Sequence, residues 1–348
     1  MSENAVVRTR RGGRRPTIND IAKRAGLSKA SVSRALNGKQ DVDPETRKRI
    51  FNIASQMGYV PSATARALSH GRSNCLGLLV PSLTWPWILE VLRGVAEEIE
   101  RSGYSLILYT TASGEDSERA FMSQAVPAGA VDGLALVIPP GMLDYIGELA
   151  KRGLPVVVID DRGHHPEFPT VETNNFEGGQ TATRHLVEVG RRRIAMLNGQ
   201  LEFGCNRDRL EGFKTALKEA GLQFESRHAV TGYFTEESGA SGMTRLLETD
   251  PKIDAVFAAN DLMAFGAMRA LRTAGRRIPE DVAVVGFDDI PASAITHPPL
   301  TTVRQPLYEM GRTAATMVMA AVRGEPIPDR VELPTSLVVR TSSVVVNS

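Results

Sequence analysis

The 348-residue sequence holds two cysteines, Cys75 and Cys205, and only 5% aromatic residues. Two unpatterned thiols provide neither a disulfide framework nor a metal cluster, and they fit a reducing cytoplasm. No apolar stretch approaches the roughly 20 residues that a membrane-spanning helix needs, so no membrane partner is expected. The opening segment, MSENAVVRTRRGGRRP, has charge but no apolar run behind it, which excludes a secretory signal. Catalytic signatures are missing too: there is no GxGxxG after a strand-like run, no GxxxxGK[ST] loop, no GxSxG elbow and no HExxH helix. His164 and His165 lie together in a Gly/Pro-rich loop without a third ligand at useful spacing, and read as loop surface. The acid pairs Asp160–Asp161 and Asp288–Asp289 end strand-like runs with no nucleophile or base nearby in sequence. The expectation is a chain that is not an enzyme and carries no metal and no cofactor.

Overall charge is nearly balanced at +1, but its distribution is not. Residues 1–72 contain 15 Lys and Arg against 5 Asp and Glu, a net of +10, while the remainder carries 26 against 35, a net of −9. A field that attracts polyanions therefore belongs to one end of the chain. Residues 1–15 read as a disordered basic arm. Arg10, Arg11, Arg14 and Arg15 have two uses open to them: tracking phosphates or a minor groove, or forming a solvated tail without defined contacts.

Residues 17–38, TINDIAKRAGLSKASVSRALNG, read as two short helices meeting at a tight turn. Thr17 caps the first, with Asp20 placed to return the bond. Ile21, Ala22 and Ala25 give it one apolar face, and Gly26 supplies the left-handed turn. Ser28 caps a second helix that buries Val32, Ala35 and Leu36 and presents Lys29, Ala30, Ser31, Ser33 and Arg34. A polar, cationic helix start held against another helix suits the DNA major groove. A third helix follows, capped by Asp43, with Pro44 at its first position and Ile50, Ile53, Ala54 and Met57 inward. Arg47, Lys48 and Arg49 lie outward, as a solvated face or as phosphate contacts. Beyond Pro61 the segment VPSATARALSHGR offers barely two helical turns. Isolated helices below about 12 residues are marginal in water, so 61–72 is expected to order only with support. Its one large apolar side chain, Leu68, suits a wedge in the minor groove.

From Thr17 through Leu68 the sequence closely resembles the DNA-binding domain and hinge of the LacI/GalR family of bacterial transcription repressors. TINDIAKRAGLS, VSRALNG, VDPETRKRI, MGYVPS and ARAL carry the likeness. The resemblance implies that Lys29, Ala30 and Arg34 read bases, that Thr17, Ser31, Ser33 and Asn37 hold phosphates, and that Leu68 intercalates. Ser28 belongs to the same DNA-binding set. The fork of Arg34 suits guanine O6 and N7, whereas Ala30 offers only a methyl group.

After Ser73 the pattern becomes strand-like runs alternating with amphipathic helices: CLGLLVP, YSLILYT, GLALVIP and LPVVVID, then RIAMLNG, AVFAAND and VAVVGFDD. Two such halves predict two parallel-sheet lobes with a cleft at the carboxyl ends of their strands. The fold class is therefore a small all-α helix-turn-helix domain plus an α/β core, which resembles the family's periplasmic-binding-protein-like sensor. The expected organisation is an arm 1–15, a DNA-binding domain 16–60 and a hinge helix 61–72. One lobe takes 73–172 and 304–333, the other 173–303 and 334–348. The family's three crossovers fall near Val171–Thr173, Val303–Gln305 and Leu333–Thr335.

Polar candidates at predicted strand ends or helix starts are Asp160, Arg209, Asn260, Asp288 and Gln305, and aromatic ones are Trp85, Trp87 and Phe234, the last after a GYF strand. Carboxylates and planar donors chelate vicinal hydroxyls while flat rings cover the C–H face of a sugar. The mixture favours a neutral polyol, and the aromatic LTWPWIL segment favours a saccharide, either a simple sugar or an oligosaccharide. By the resemblance Arg209, Asn260, Asp288, Gln305, Asp160 and Phe234 align with ligand positions. Trp85 and Trp87 are a local departure, read as ligand contacts, with packing between lobes or protomers as the alternative. Arg207 reaches either the ligand or a surface acid. No leucine heptad follows the final VRTSSVVVNS, so a homodimer on a pseudo-palindromic double-stranded operator is expected. The function so read is a cytoplasmic repressor of carbohydrate-utilisation genes released by a sugar. The alternatives are a co-repressor ligand such as a purine, or a cytoplasmic solute-binding protein.

Overall fold

A computed structural model of the chain describes residues 16–36, 41–59, 72–81, 83–110, 130–137, 143–160 and 168–344. Asn37, Leu68, Asp161, His164, His165 and the arm 1–15 lie outside the described residues, as does the hinge segment up to residue 71. Two compact units divide the chain, residues 1–73 and 74–348.

Among the described residues of the first unit are three helices, α1 (Ile18–Ala25), α2 (Lys29–Leu36) and α3 (Pro44–Gln56). Local chemistry sets their ends. Thr17 and Asp20 form a reciprocal capping box: the Thr17 backbone N–H and hydroxyl both donate to the Asp20 carboxylate, at 2.8 and 2.7 Å. Gly26 closes α1 at φ +66°, where a side chain would be strained. Ser28 accepts from the Ser31 backbone N–H at 3.0 Å, and Asp43 from that of Thr46 at 2.9 Å. Ile21, Ala22, Val32, Ala35, Ile50 and Ala54 make the core, with Leu36, Ile53 and Met57 partly buried around it. Arg49 stays exposed on the outer side of α3. Its guanidinium donates to the Ala25 carbonyl at 2.9 Å and so ties α3 to the end of α1.

The second unit folds as two six-stranded sheets. Strands β1 (Cys75–Val80), β2 (Ser105–Thr110), β3 (Gly133–Val137), β4 (Val156–Ile159), β5 (Thr170–Thr173) and β11 (Arg330–Leu333) form the first, in the order β11-β5-β4-β3-β1-β2. The second takes β6 (Ile194–Asn198), β7 (Ala229–Thr231), β8 (Ala255–Ala258), β9 (Ala283–Asp288), β10 (Thr301–Arg304) and β12 (Ser336–Val338), in the order β12-β10-β9-β8-β6-β7. Central strands are apolar along their whole length because helices cover both faces, as parallel sheets require. All strand pairs are parallel except β12 against β10. This edge strand departs from the wholly parallel expectation, since a two-residue link from β11 leaves no room for a parallel return. The run GYF is also not a strand. Pairing stops at Thr231, and Phe234 has φ +62°, a left-handed backbone that leaves the sheet.

Helices α4 (Pro86–Ser102), α5 (Leu143–Lys151) and α10 (Leu307–Val322) belong to the first lobe, and α6 (Asn175–Glu188), α7 (Gly204–Glu219), α8 (Glu236–Thr249) and α9 (Asp261–Thr273) to the second. The chain passes between lobes at Asn174, at Gln305–Pro306 and at Pro334–Thr335, between the elements so defined. Three helix pairs meet backbone to backbone through facing glycines: Gly94 with Gly311, Gly179 with Gly212, and Gly239 with Gly266. At Gly212 an added Cβ would lie 2.1 Å from the Phe176 carbonyl oxygen, and at Gly179 2.4 Å from that of Arg209. Close contact of α6 and α7 thus fixes the helix that carries Arg209. No helix among the described residues is long and apolar enough to cross a membrane.

Candidate ligand cavity and nucleic-acid interface

A cleft with about 610 Å³ of space free of atoms, its open mouth to solvent included, lies between the two lobes of the second unit. Its walls come from segments that leave the carboxyl ends of the strands. Trp85, Pro86 and Trp87 follow β1 and open α4, while Val137 ends β3 and Asp160 follows β4. From the second lobe come Phe203, Cys205 and Arg209 around the start of α7, Phe234 before α8, and Asn260 and Leu262 at α9. Asp288 ends β9 and Gln305 follows β10. The structure therefore gathers all eight ligand candidates, Trp85, Trp87, Asp160, Arg209, Phe234, Asn260, Asp288 and Gln305, around one space. Phe203, Cys205 and Leu262 join them without having been singled out from the sequence.

The rings form a continuous row. Trp85 and Trp87 stack at 6.3 Å between centroids, Trp85 lies 6.1 Å from Phe234, and Phe234 meets Phe203 edge-on at 5.6 Å. All four are half-buried, so apolar faces remain accessible to a ligand. Through Trp85 and Phe234 the row joins the two lobes.

The polar side is a connected, mostly buried network. Gln305 donates to Asp288 Oδ1 at 2.7 Å and accepts from the Thr173 hydroxyl at 2.8 Å. Arg209, 3% exposed, donates to Asn175 Oδ1 at 2.9 Å and to the Ala259 carbonyl at 2.6 Å, with its guanidinium 3.7 Å above the Phe287 ring. Asn175 donates in turn to the Thr173 carbonyl at 3.2 Å and to Asp160 Oδ1 at 3.5 Å. Asn260 caps α9 by accepting from the Met263 backbone N–H at 2.9 Å, and donates to the Phe234 carbonyl at 3.2 Å. Asn175 is thus a positioning residue that the sequence reading missed. An asparagine just after a short strand carries no sign that it will face an arginine 34 residues on.

Asp160, Phe234 and Asp288 have φ of +61°, +62° and +118°. Non-glycine residues in such conformations cost on the order of 1–3 kcal/mol each and gather at binding sites. Burial pushes the Asp288 carboxyl well above the usual carboxylate range, with Arg209 and Gln305 pulling it back and Asp261 and Asp160 reinforcing the rise. Asp261 points away from ligand chemistry. It accepts from the Thr302 and Ser293 hydroxyls and the Ile290 backbone N–H, at 2.6, 2.7 and 2.9 Å, and burial raises its pKa to about 7. The Asp288–Asp289 pair is divided: Asp288 lines the cavity, while Asp289 binds Arg304 and Arg340 at 2.6 and 2.7 Å. Arg207 reaches neither ligand space nor a surface acid. It donates to the carbonyls of Leu201 at 2.5 Å and Glu202 at 3.2 Å. No group of three or more His, Cys, Asp or Glu among the described residues is placed to hold a metal.

In the first unit Lys29, Ala30 and Arg34 lie exposed on α2, with Thr17, Ser31 and Ser33 half-buried. Arg34 meets Asp41 at 3.4 Å with both side chains more than half exposed, a pair too solvated to hold the guanidinium firmly. Ser28 and Ser31 share a hydroxyl contact of 2.9 Å.

Residues 73–341 match the family model for periplasmic binding proteins and the sugar binding domain of the LacI family, and residues 17–62 that for bacterial regulatory proteins of the lacI family. The chain is 36% identical over 342 residues to the HTH-type transcriptional regulator CelR of Thermobifida fusca, covering 94% of this chain and 98% of that protein. It is 32% identical to the HTH-type transcriptional repressor PurR of Haemophilus influenzae, over 94% and 98%. A CelR–cellobiose complex superposes with TM-score 0.73 at 34% identity, covering 94% of this chain and all of that one. The lac repressor dimer bound to operator and the anti-inducer ONPF gives TM-score 0.83 at 27% identity, with 95% of this chain covered. A capped, cationic helix pair in the same chain as a two-lobed core with a polar, ring-lined cavity makes this protein a member of the LacI family of bacterial transcription regulators.

Proposed function

We propose that this chain represses transcription as a cytoplasmic homodimer on a pseudo-palindromic operator, and that a neutral oligosaccharide of the cellobiose type, bound in the interlobe cavity, releases it. The observation that carries the effector class is the row Trp87–Trp85–Phe234–Phe203 facing Asp160, Arg209, Asp288 and Gln305 across one space. Rings in series cover the C–H faces of linked pyranoses, while carboxylates and the amide take their hydroxyls. One arginine beside two cavity-lining carboxylates disfavours a phosphorylated ligand. The relative solved with cellobiose supports the same class.

On DNA, Lys29, Ala30 and Arg34 read base edges, and Thr17, Ser28, Ser31, Ser33 and Asn37 hold the backbone, with Leu68 the wedge. The Thr17 hydroxyl donates within its capping box, so its phosphate contact runs through a reorganised cap or through neighbouring backbone N–H groups. A sugar that binds one arrangement of the lobes better than the other withdraws support from the 61–72 segment. A 100-fold loss of operator affinity needs about 2.7 kcal/mol of differential binding.

The test is an operator-binding titration against cellobiose, longer β-linked glucans, glucose and free purine bases. Cellobiose or its longer homologues should weaken the complex, and Asp288→Ala should abolish the response while leaving operator affinity unchanged. A purine that strengthens binding would instead favour co-repression, a reading to which the PurR relative lends support. Disappearance of the sugar during incubation would expose a turnover that no residue constellation here explains.

A further inference from the structure

Asp288 and Asp289 are consecutive non-glycine residues with positive φ, +118° and +57°. Something must over-determine so unusual a turn. The cavity side supplies one bond, from Gln305 to Asp288 Oδ1. The adjoining Ile290 backbone N–H donates to Asp261 Oδ2 at 2.9 Å, and a further hold comes from outside the cavity through Asp289, whose side chain is only 6% exposed. Its two oxygens are taken by separate arginines: Arg304 Nε donates to Oδ2 at 2.6 Å and Arg340 Nη2 to Oδ1 at 2.7 Å.

The two arginines reach Asp289 from different places. Arg304 ends β10, directly before the link Gln305–Pro306, and Arg340 lies two residues past β12, which begins after the link Pro334–Thr335. Arg340 is the better anchored. It is 17% exposed where Arg304 is 56% exposed, and its Nη1 also donates to the Leu300 carbonyl at 2.7 Å. Its backbone N–H donates to the Thr301 hydroxyl at 2.8 Å. Two residues on, Ser342 exchanges bonds with Val284, by its carbonyl at 2.8 Å and its hydroxyl at 2.6 Å. The C-terminal segment is therefore stitched to β9 and β10 at the place where it presents this guanidinium. None of Asp289, Arg304 and Arg340 lines the cavity.

We propose that Arg340, seconded by Arg304, is a positioning residue for the effector: by gripping Asp289 it fixes the left-handed turn that aims Asp288 into the cavity, so that effector affinity is set partly from the C-terminal segment. This rests on the cavity being the effector site. Because Arg304 directly adjoins an interlobe link, its share of the grip ties the pose of Asp288 to the arrangement of the lobes, which gives a ligand a physical way to favour one arrangement.

The experiment uses the full-length protein and four variants, Arg340→Met, Arg340→Lys, Arg304→Met and Asp289→Asn. Asparagine tolerates the left-handed region, so the last removes charge while leaving the turn accessible. Readouts are the cellobiose dissociation constant by calorimetry, the side-chain amide resonance of Gln305, which reports its bond to Asp288, and Tm. Arg340→Met should weaken cellobiose binding at least tenfold and shift the Gln305 resonance. Arg340→Lys should recover most of both, Asp289→Asn should fall between, and Arg304→Met should change both least. Wild-type affinity in Arg340→Met, or weaker binding with an unmoved Gln305 resonance, would overturn the assignment. Should Arg340→Met fail to fold, Arg340→Lys and Asp289→Asn carry the same comparison. Absence of cellobiose binding in the wild type would defeat the effector class alone; the Gln305 resonance then decides the grip, and an unmoved signal overturns it.

Discussion

Asp288 sits between opposing influences, and its titration is where they become measurable. Burial and the carboxylates of Asp261 and Asp160 favour its neutral form, while Arg209 and Gln305 favour the ionised one. A sugar hydroxyl donates best to the ionised form, so ligand adds to the second group. Sugar affinity should therefore rise with pH above the ordinary carboxylate range and level off once Asp288 is ionised, and Asp288→Asn should bind more weakly and flatten the profile. Calorimetry from pH 5 to 8.5 (about the span in which most folded proteins stay native) checks both. Stability moves the other way in part of that interval. Asp261 has a folded-state pKa of about 7 against 3.8 unfolded, so the native state holds the extra proton between those values. Its contribution is complete below 3.8 and is lost as pH rises through 7. Much at this scale was legible beforehand: strand ends name Asp160, Asn260, Asp288 and Gln305 because parallel sheets converge there. Phe203, Cys205 and Asn175 were not, since which face of a helix start meets the cavity depends on packing angles that no local pattern fixes.

Elements are set against one another mainly by glycine. Within helices glycine reads as a flaw, disfavoured against alanine by about 1 kcal/mol. In α7 and α6 that sign reverses: a methyl at Gly212 would strike the Phe176 carbonyl, and one at Gly179 the Arg209 backbone. Gly212→Ala is expected to destabilise the protein by about 1–3 kcal/mol despite the gain in helix propensity, and to weaken sugar binding by displacing Arg209 from Asn175. Thermal or urea denaturation with a parallel binding assay checks it; a more stable variant would refute the account. Helix limits were readable from their caps, as Thr17, Ser28, Asp43 and Gly26 show. The partner of each helix was not, because facing glycines lie about 30 or 200 residues apart. GYF misled for a related reason: its composition suits a strand, but β6 has no pairing left to offer beyond Thr231.

At the scale of the whole molecule, charge separates the two tasks. Net +10 in residues 1–72 against −9 in the rest concentrates attraction for a polyanion on the DNA-binding unit. Operator affinity should fall steeply with salt, with a log–log slope of roughly −0.9 for each phosphate neutralised. Deleting residues 1–15, with Arg10, Arg11, Arg14 and Arg15, should make the slope shallower if the arm tracks phosphates and leave it unchanged if the arm is only solvated. Filter binding or anisotropy across a salt series measures this. The two-lobed architecture was legible because alternating apolar runs and amphipathic helices occur twice. Less legible was the antiparallel edge strand β12, only three residues long and dictated by a tight link rather than by its own composition.

Sheet one gains its outer strand β11 only when residues 330–333 arrive, and the helix α10 that covers it comes from residues 307–322. A ribosome must therefore emit residues as late as 333 before the first lobe can close, although most of that lobe was synthesised early. A chain stopped before residue 307 keeps β1–β5 but lacks α10, β11 and β12, so each sheet loses an edge strand and the first its covering helix, and no half-molecule able to sense its ligand should remain.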